Sequence, residues 1–229
     1  MKKIAILQSN YIPWKGYFDI IAKVDLFIFH DDLQYTKGDW RNRNKIKTAK
    51  GTEWITIPCG SSEKRLICDV KLNDSSWQKE HWNKIVLNYQ KAPFFDKYKR
   101  LLEYFYLDEK WDNLSDFNQC FIKTISTDIF GFNTVFEDSR KYQLKLTKGE
   151  RVIELLKKAE ADYYLSGPSA KNYISENDFL DSGITIEWMD YSGYKEYRQP
   201  YGNFIHEVTV LDLLFNEGDD AIKFLKCNV

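Results

Sequence analysis

The first thirty residues constrain this chain more than any other segment. Lys3 to Gln8 is a short apolar run ending in a polar turn, Asn10, Pro13 and Gly16 follow, Tyr17 to Val24 reads as a helix, and Leu26 to Phe29 is the unbroken apolar run Leu-Phe-Ile-Phe. Such a run, bounded by turn residues, is a strand buried on both faces. The order strand, loop, helix, strand opens a parallel βαβ unit, whose crossover is right-handed in nearly all proteins. Ligands of open parallel sheets gather at the carboxyl ends of the strands. Those ends are here Gln8 to Asn10 and His30 to Gln34.

The pattern then changes twice. Trp54 to Ile57 reads as a strand stopped by Pro58, and Leu66 to Leu72 as a further one. From Ser75 the period becomes helical: Ser75 with Gln78 forms a capping box, and Trp82, Ile85, Val86 and Tyr89 share one face before Pro93. Phe117, Phe121, Ile122, Ile125 and Ile129 mark another amphipathic helix, closed by Gly131. Alternation returns with a helix capped by Thr147 and Glu150, a strand at Tyr163 to Leu165, a strand at Ile184 to Trp188, and a helix from Val208 to Phe215 before Gly218. The expected fold class is α/β: a Rossmann-like, mostly parallel sheet forming a single domain over 1–229, with 75–130 as a helical insertion or subdomain.

With 229 residues the chain buries a core without disulfides, and its four cysteines are scattered with no CxxC spacing. A net charge of −1 argues against coating nucleic acid or an anionic membrane through bulk charge, so any anion site must be local. No apolar run reaches the roughly 18 residues of a membrane span, and Ile4 to Leu7 is too short for a signal core, so the expected location is cytoplasmic. His30, His81 and His206 lie too far apart for a local metal motif, and no metal ligands are assigned.

Three places carry chemistry. The first is a basic run from Lys37 to Lys50, locally +5 with Asp39 as its one acid. Arg41 and Arg43, separated by Asn42, would share a side in extended backbone and make a two-armed clamp for phosphate or carboxylate, with Lys45 beside them and Trp40 to stack on a ring. A merely solvated loop is the plain alternative. The second is the strand end at His30, Asp31 and Asp32, where one carboxylate can take a proton or hold Mg2+ while the other binds substrate; capping of backbone amides is the plain alternative. Gln34 and Tyr35 add hydrogen-bonding and stacking groups beside them. The third is the loop after the first strand, with Gln8, Tyr11, Gly16 and Tyr17, where a glycine permits close backbone approach to a ligand. This is neither GxGxxG nor a Walker motif. The Ser166-Gly167 turn, with Pro168 and Ser169 after it, follows a strand but lacks the flanks of a GxSxG elbow. His81, inside a helix, either packs at the edge of its apolar face or serves as a general base.

On the blocks Ile6 to Phe18, Asp31 to Tyr35 and Trp40 to Asn44, then Pro58, His81, Tyr89, Pro93, Tyr164 to Gly167 and Asp212 to Asn216, the sequence resembles the WbqC-like family over nearly its whole length. One departure is Ser9-Asn10, where many relatives have Pro before the aromatic. The resemblance implies a bacterial protein of surface-polysaccharide gene clusters, working beside enzymes that make nucleotide-linked amino sugars.

Three functions fit these residues. The leading one is transfer of an acyl or aminoacyl group to the amine of a nucleotide-activated sugar. Arg41, Arg43 and Lys45 would bind the pyrophosphate, Tyr11, Tyr17, Tyr35 or Trp40 would stack on base or sugar, and Asp32 or His81 would deprotonate the amine, with Asp31 beside them. A second is an ATP-dependent amide ligase or nucleotidylyltransferase-like enzyme, although the HxGH histidines are missing. A third is a non-catalytic partner of a sugar-modifying enzyme, which predicts no cleft joining Gln8, Asp32 and Arg41. The expected ligand is a small-molecule nucleotide sugar, with no nucleic acid and no membrane span. ATP with Mg2+, an acyl donor and homo-oligomerisation are all left open by the residues.

Overall fold

A computed structural model of the chain describes residues 1–172 and 174–227. The opening segment forms β1 (Lys3–Leu7), α1 (Lys15–Ala22) and β2 (Leu26–Phe29), paired in parallel with Ile4 opposite Leu26 and Leu7 opposite Phe29. Later come β5 (Val135–Asp138), α5 (Lys148–Lys158), β6 (Tyr163–Ser166), α6 (Glu176–Leu180) and β7 (Thr185–Trp188). These strands make one five-stranded sheet in the order β5-β2-β1-β6-β7, every pair parallel. The strand order reverses between β1 and β6, which creates a crevice at their carboxyl ends. This is a mixed α/β, Rossmann-like arrangement.

Alternation along the strands explains the two helical layers. Ile4, Ile6, Leu26 and Ile28 pack with Leu155 and Leu156 of α5 and Phe179 of α6. Ala5, Phe27 and Phe29 turn the other way, into a core with Phe18 and Ile21 of α1. That second core continues without a break into the residues inserted between β2 and β5. These form an antiparallel hairpin, β3 (Arg43–Thr48) and β4 (Gly51–Thr56), then the helices α2 (Ser76–Tyr89), α3 (Phe95–Glu103) and α4 (Leu114–Thr124). The last helix, α7 (Val210–Glu217), joins the same core and stops at Gly218, whose φ is +59°.

Several local expectations are corrected. Leu66 to Leu72 is not a strand: a 3-10 turn spans Ile67–Asp69, with single bridges from Leu66 to Gln34 and from Lys71 to Asn113. Its apolar residues are buried because the amides of Ile67 and Cys68 bond back to the carbonyls of Leu33 and Asp31, which leaves no ladder to extend. The Ser75–Gln78 capping box does not form. Asp74 accepts from the Ser76 amide at 2.8 Å, and the Gln78 amide serves the carbonyls of Phe105 and Glu109. Thr147 also caps nothing with its side chain, and Glu154 reaches back to the amides of Lys145 and Leu146. The helix expected through Ile129 is α-helical only to Thr124 and widens into a π turn over Ile125–Ile129.

Residues 189–209 have neither helix nor strand and run back over the start of α1. Polar anchors hold this strap: Tyr194 donates to Asp19 at 2.6 Å and Tyr197 to Asp212 at 2.7 Å. The Lys15 ammonium lies within 5.0 Å of the Tyr194 ring centre and 5.5 Å of that of Phe204, and donates to the Lys195 carbonyl at 3.0 Å. Burial lowers Lys15 to about 8, against the pull of Asp212 and Asp19.

Candidate active site at the carboxyl edge of the sheet

β2 ends at Phe29, so the residues after it emerge at the sheet edge, where α5 also begins. The Asp32 carboxylate accepts from the Arg151 guanidinium and the Ser139 hydroxyl. Arg151 Nε donates to His30 Nε2 at 3.1 Å, and that nitrogen lies 3.7 Å from Asp32. Guanidinium can only donate, so His30 accepts at Nε2 and carries its proton on Nδ1. Burial pushes His30 down to about 4, Asp32 pulling it up and Arg151 down, so the ring is neutral at neutral pH.

Arg151 and His30, with Gln8, Lys148 and Gly149, line the polar mouth of a cavity of about 480 Å³ whose walls are apolar, among them Ile6 and Val152. The first turn of α5 leaves amides without helical partners, and its dipole favours an anion there. Lys148 has φ +54°, a left-handed conformation uncommon for a residue with a side chain.

A second cavity, of about 420 Å³, lies across the end of β1 and is lined by Asn10, Trp14, Trp40, Asn44, Ser169 and Glu207. A bridge separates the two: Arg41 donates to the Gln8 side chain and to Asp39. The insertion fixes this bridge, because Asn118 of α4 donates to the Arg41 carbonyl at 2.8 Å and the Tyr11 amide to the Trp40 carbonyl at 2.9 Å. The loop between is strained at Ile12, where φ is +34°. A β-branched residue in that region is a true outlier, and such strain gathers at functional sites. Asn44 of β3 holds it, donating to the carbonyls of Tyr11 at 3.1 Å and Ile12 at 2.9 Å. Gly16 is required by a neighbour in its own loop, since a Cβ there would come within 2.3 Å of the Trp14 ring.

The structure brings Gln8, Trp40, Arg41 and Asp32 to this edge and leaves other expected residues elsewhere. Asp31 is fully buried, accepting from the Ser9 amide at 2.8 Å, Gln119 at 2.9 Å and Ser115; burial raises its pKa despite these bonds. His81 is 2% exposed, accepts from or donates to the Tyr11 hydroxyl at 2.7 Å, and is lowered by burial to about 4. Tyr17 donates to the Gln8 carbonyl at 2.9 Å and so supports the edge from below. Tyr35 and Asn42 are buried, while Gln34 is exposed. Arg43 does not join Arg41 in a clamp: it stacks 4.3 Å over Trp54, and Lys45 lies near the same ring and 4.0 Å from Glu207. Ser166 is buried against the Tyr164 hydroxyl at 3.2 Å, and Gly167 begins the turn leading to Ser169. Among the described residues no three His, Cys, Asp or Glu side chains gather as a metal cage.

Sequence reasoning missed Arg151, Ser139, Lys148, Asn10, Trp14 and Glu207. One signal was present. Lys148 and Arg151 put two cations in the first turn of a helix, where the dipole disfavours them and a bound anion would reverse the sign.

The fold and this edge define an α/β protein with two cavities beside the strand-order switch. The sequence matches the WbqC-like protein family over residues 8–224, and the chain belongs to that family. It is also 44% identical over 228 residues, 99% of this chain and 98% of the other, to the uncharacterized protein Rv1507c of Mycobacterium tuberculosis.

Proposed function

We propose that the chain is an enzyme of bacterial surface-polysaccharide (O-antigen type) biosynthesis that transfers an acyl or aminoacyl group to the amine of a nucleotide-activated amino sugar. One observation carries this reading: a helix start bearing Lys148 and Arg151 meets the His30–Asp32 pair at the edge of the sheet. Phosphates would lie against the free amides of α5 and these two cations. The amine attacks the donor carbonyl, a C–N bond forms, the bond to the leaving group breaks, and a carboxylate beside the amine takes its proton. Arg151 and Ser139 hold Asp32 in place at the helix start. His30 stays neutral and adds no competing positive charge.

Gln8 lines one cleft together with His30 and Arg151, which flank Asp32, and it is tied to Arg41, which counts against a purely non-catalytic role. The helix start would equally suit the triphosphate of ATP, which keeps an ATP-dependent amide ligase as the second reading. Thermal-shift measurements against UDP-, dTDP- and GDP-linked amino sugars, with ATP and CoA in parallel, test both. A sugar nucleotide should stabilise the protein, and Arg151→Ala should abolish the shift. Stabilisation by none of them would sink the transfer reading; product formed only with release of AMP and pyrophosphate would favour the ligase.

A further inference from the structure

The two cavities at the end of β1 are similar in size and opposite in chemistry. The one under α5 presents Lys148, Arg151 and free helix amides. The other presents two indoles, Asn10, Ser169 and the Glu207 carboxylate, and among the described residues no cation belongs to its lining. Its volume of about 420 Å³ falls within the range of small-molecule sites. A phosphate placed there would meet the Glu207 carboxylate, offset only by Lys45 at 4.0 Å.

The lining instead suits a pyranose ring. Trp40 is 42% exposed and backed by Trp54, their ring centres 5.3 Å apart. Trp14 is pinned edge-on by Tyr191 and Tyr194, at 5.4 and 5.6 Å, and lies against Gly16. Rigid indoles offer flat apolar surface to the C–H face of a sugar at little entropic cost. Asn44 is wall only, since its amide is spent on the Tyr11 and Ile12 carbonyls and its oxygen on the Lys45 amide. The side chains of Asn10 and Ser169 have no hydrogen-bond partner among the described residues and remain available to sugar hydroxyls.

We propose that the Trp14–Trp40 cavity is a carbohydrate subsite for an amino sugar, whose amino substituent is read by Glu207, while the nucleoside diphosphate lies across the Gln8–Arg41 bridge beneath α5. This rests on the nucleotide-sugar reading above. It assigns the sugar end of the ligand to residues that reading does not use.

Phosphate-free probes separate the two halves. Methyl glucosaminide and methyl glucoside are compared by saturation-transfer NMR at millimolar concentration, and UDP, dTDP and GDP by calorimetry. Trp40→Ala should weaken both glycosides by about tenfold or more, and Glu207→Gln should weaken only the glucosaminide, about fivefold, with diphosphate binding within about twofold of the parent in both variants. Asn10→Ala should weaken both glycosides. Absence of glycoside binding by the parent protein overturns the proposal. So does glycoside binding that both Trp40→Ala and Glu207→Gln leave unchanged, or an equal loss of diphosphate and glycoside in either. Because the glycosides carry no phosphate, such a failure leaves the diphosphate arm, read through Arg151→Ala, to stand or fall alone.

Discussion

Two regions of this molecule use the same residue types to opposite ends. Beneath the inserted helices, His81, Tyr11 and Tyr106 form a closed chain: both neighbouring contacts of the Tyr11 hydroxyl are at 2.7 Å, and the Thr56 backbone bonds the imidazole. At the sheet edge, His30, Asp32 and Arg151 form an equally close group, but one that borders a cavity and includes full charges. Both histidines are held neutral by burial, so protonation state does not tell them apart. What differs is whether the polar atoms have anything left to meet. A closed network specifies packing, whereas an open one next to free helix amides is equipped for a ligand.

The widest separation should come from His81→Ala. It leaves Tyr11 short of a buried partner and opens a void, costing about 3 kcal/mol of stability in denaturant unfolding, while the folded fraction keeps its affinity for sugar nucleotides. A variant of full stability and lost affinity would reverse the comparison. Next, Arg151→Ala should cost about 2 kcal/mol of binding, roughly thirtyfold by calorimetry.

Acid titration sharpens the contrast on the stability side. A histidine at about 4 when folded and at its ordinary 6.5 when unfolded binds fewer protons in the native state. Its contribution is therefore complete above pH 6.5 and is lost as the pH falls toward 4, at up to about 1.4 kcal/mol per pH unit. The buried carboxylates Asp31 and Asp212 are raised by burial and bend the curve the other way, so the informative quantity is the difference between parent and His81→Phe. That difference should fall as the pH drops from 6.5 toward 4 and stay level outside these limits, and parallel curves would mean that His81 titrates alike in the folded and unfolded states. Smaller still, Gly16→Ala should cost about 1 kcal/mol through displacement of the Trp14 ring, seen as a lower melting temperature. Arg43→Ala should change diphosphate affinity by less than about 0.5 kcal/mol, since its guanidinium serves Trp54; a larger loss would restore the two-armed clamp.

The parallel sheet was legible wherever a strand is buried on both faces, as at Leu26 to Phe29, because such strands must be apolar throughout. The β3–β4 hairpin was not fully legible. Arg43, Lys45 and Lys47 occupy alternate positions, so the strand looks like a basic loop, although Asn44, Ile46 and Lys47 itself are buried. The edge strand β5 was hidden by its length of 4 residues and its acidic end at Glu137 and Asp138. The site was half visible for a related reason. Strand-end residues such as Gln8 and Asp32 follow from local pattern, but Arg151 reaches Asp32 from 119 positions away, which no spacing rule reports.

The strap over 189–209 has a consequence for how the protein is made. Its residue Glu207 walls the Trp14–Trp40 cavity, and its tyrosines bond Asp19 in α1 and Asp212 in α7, so the loop after β1 is finished by a segment whose Tyr194 lies 175 positions beyond its partner Asp19. The central strand β1 must likewise wait for β6, whose Tyr163 pairs with Lys3. Contacts so distant in sequence slow folding. A chain synthesised only as far as α5 therefore has that helix before the Trp14–Trp40 cavity has its Glu207 wall, and the two cavities are completed at different times.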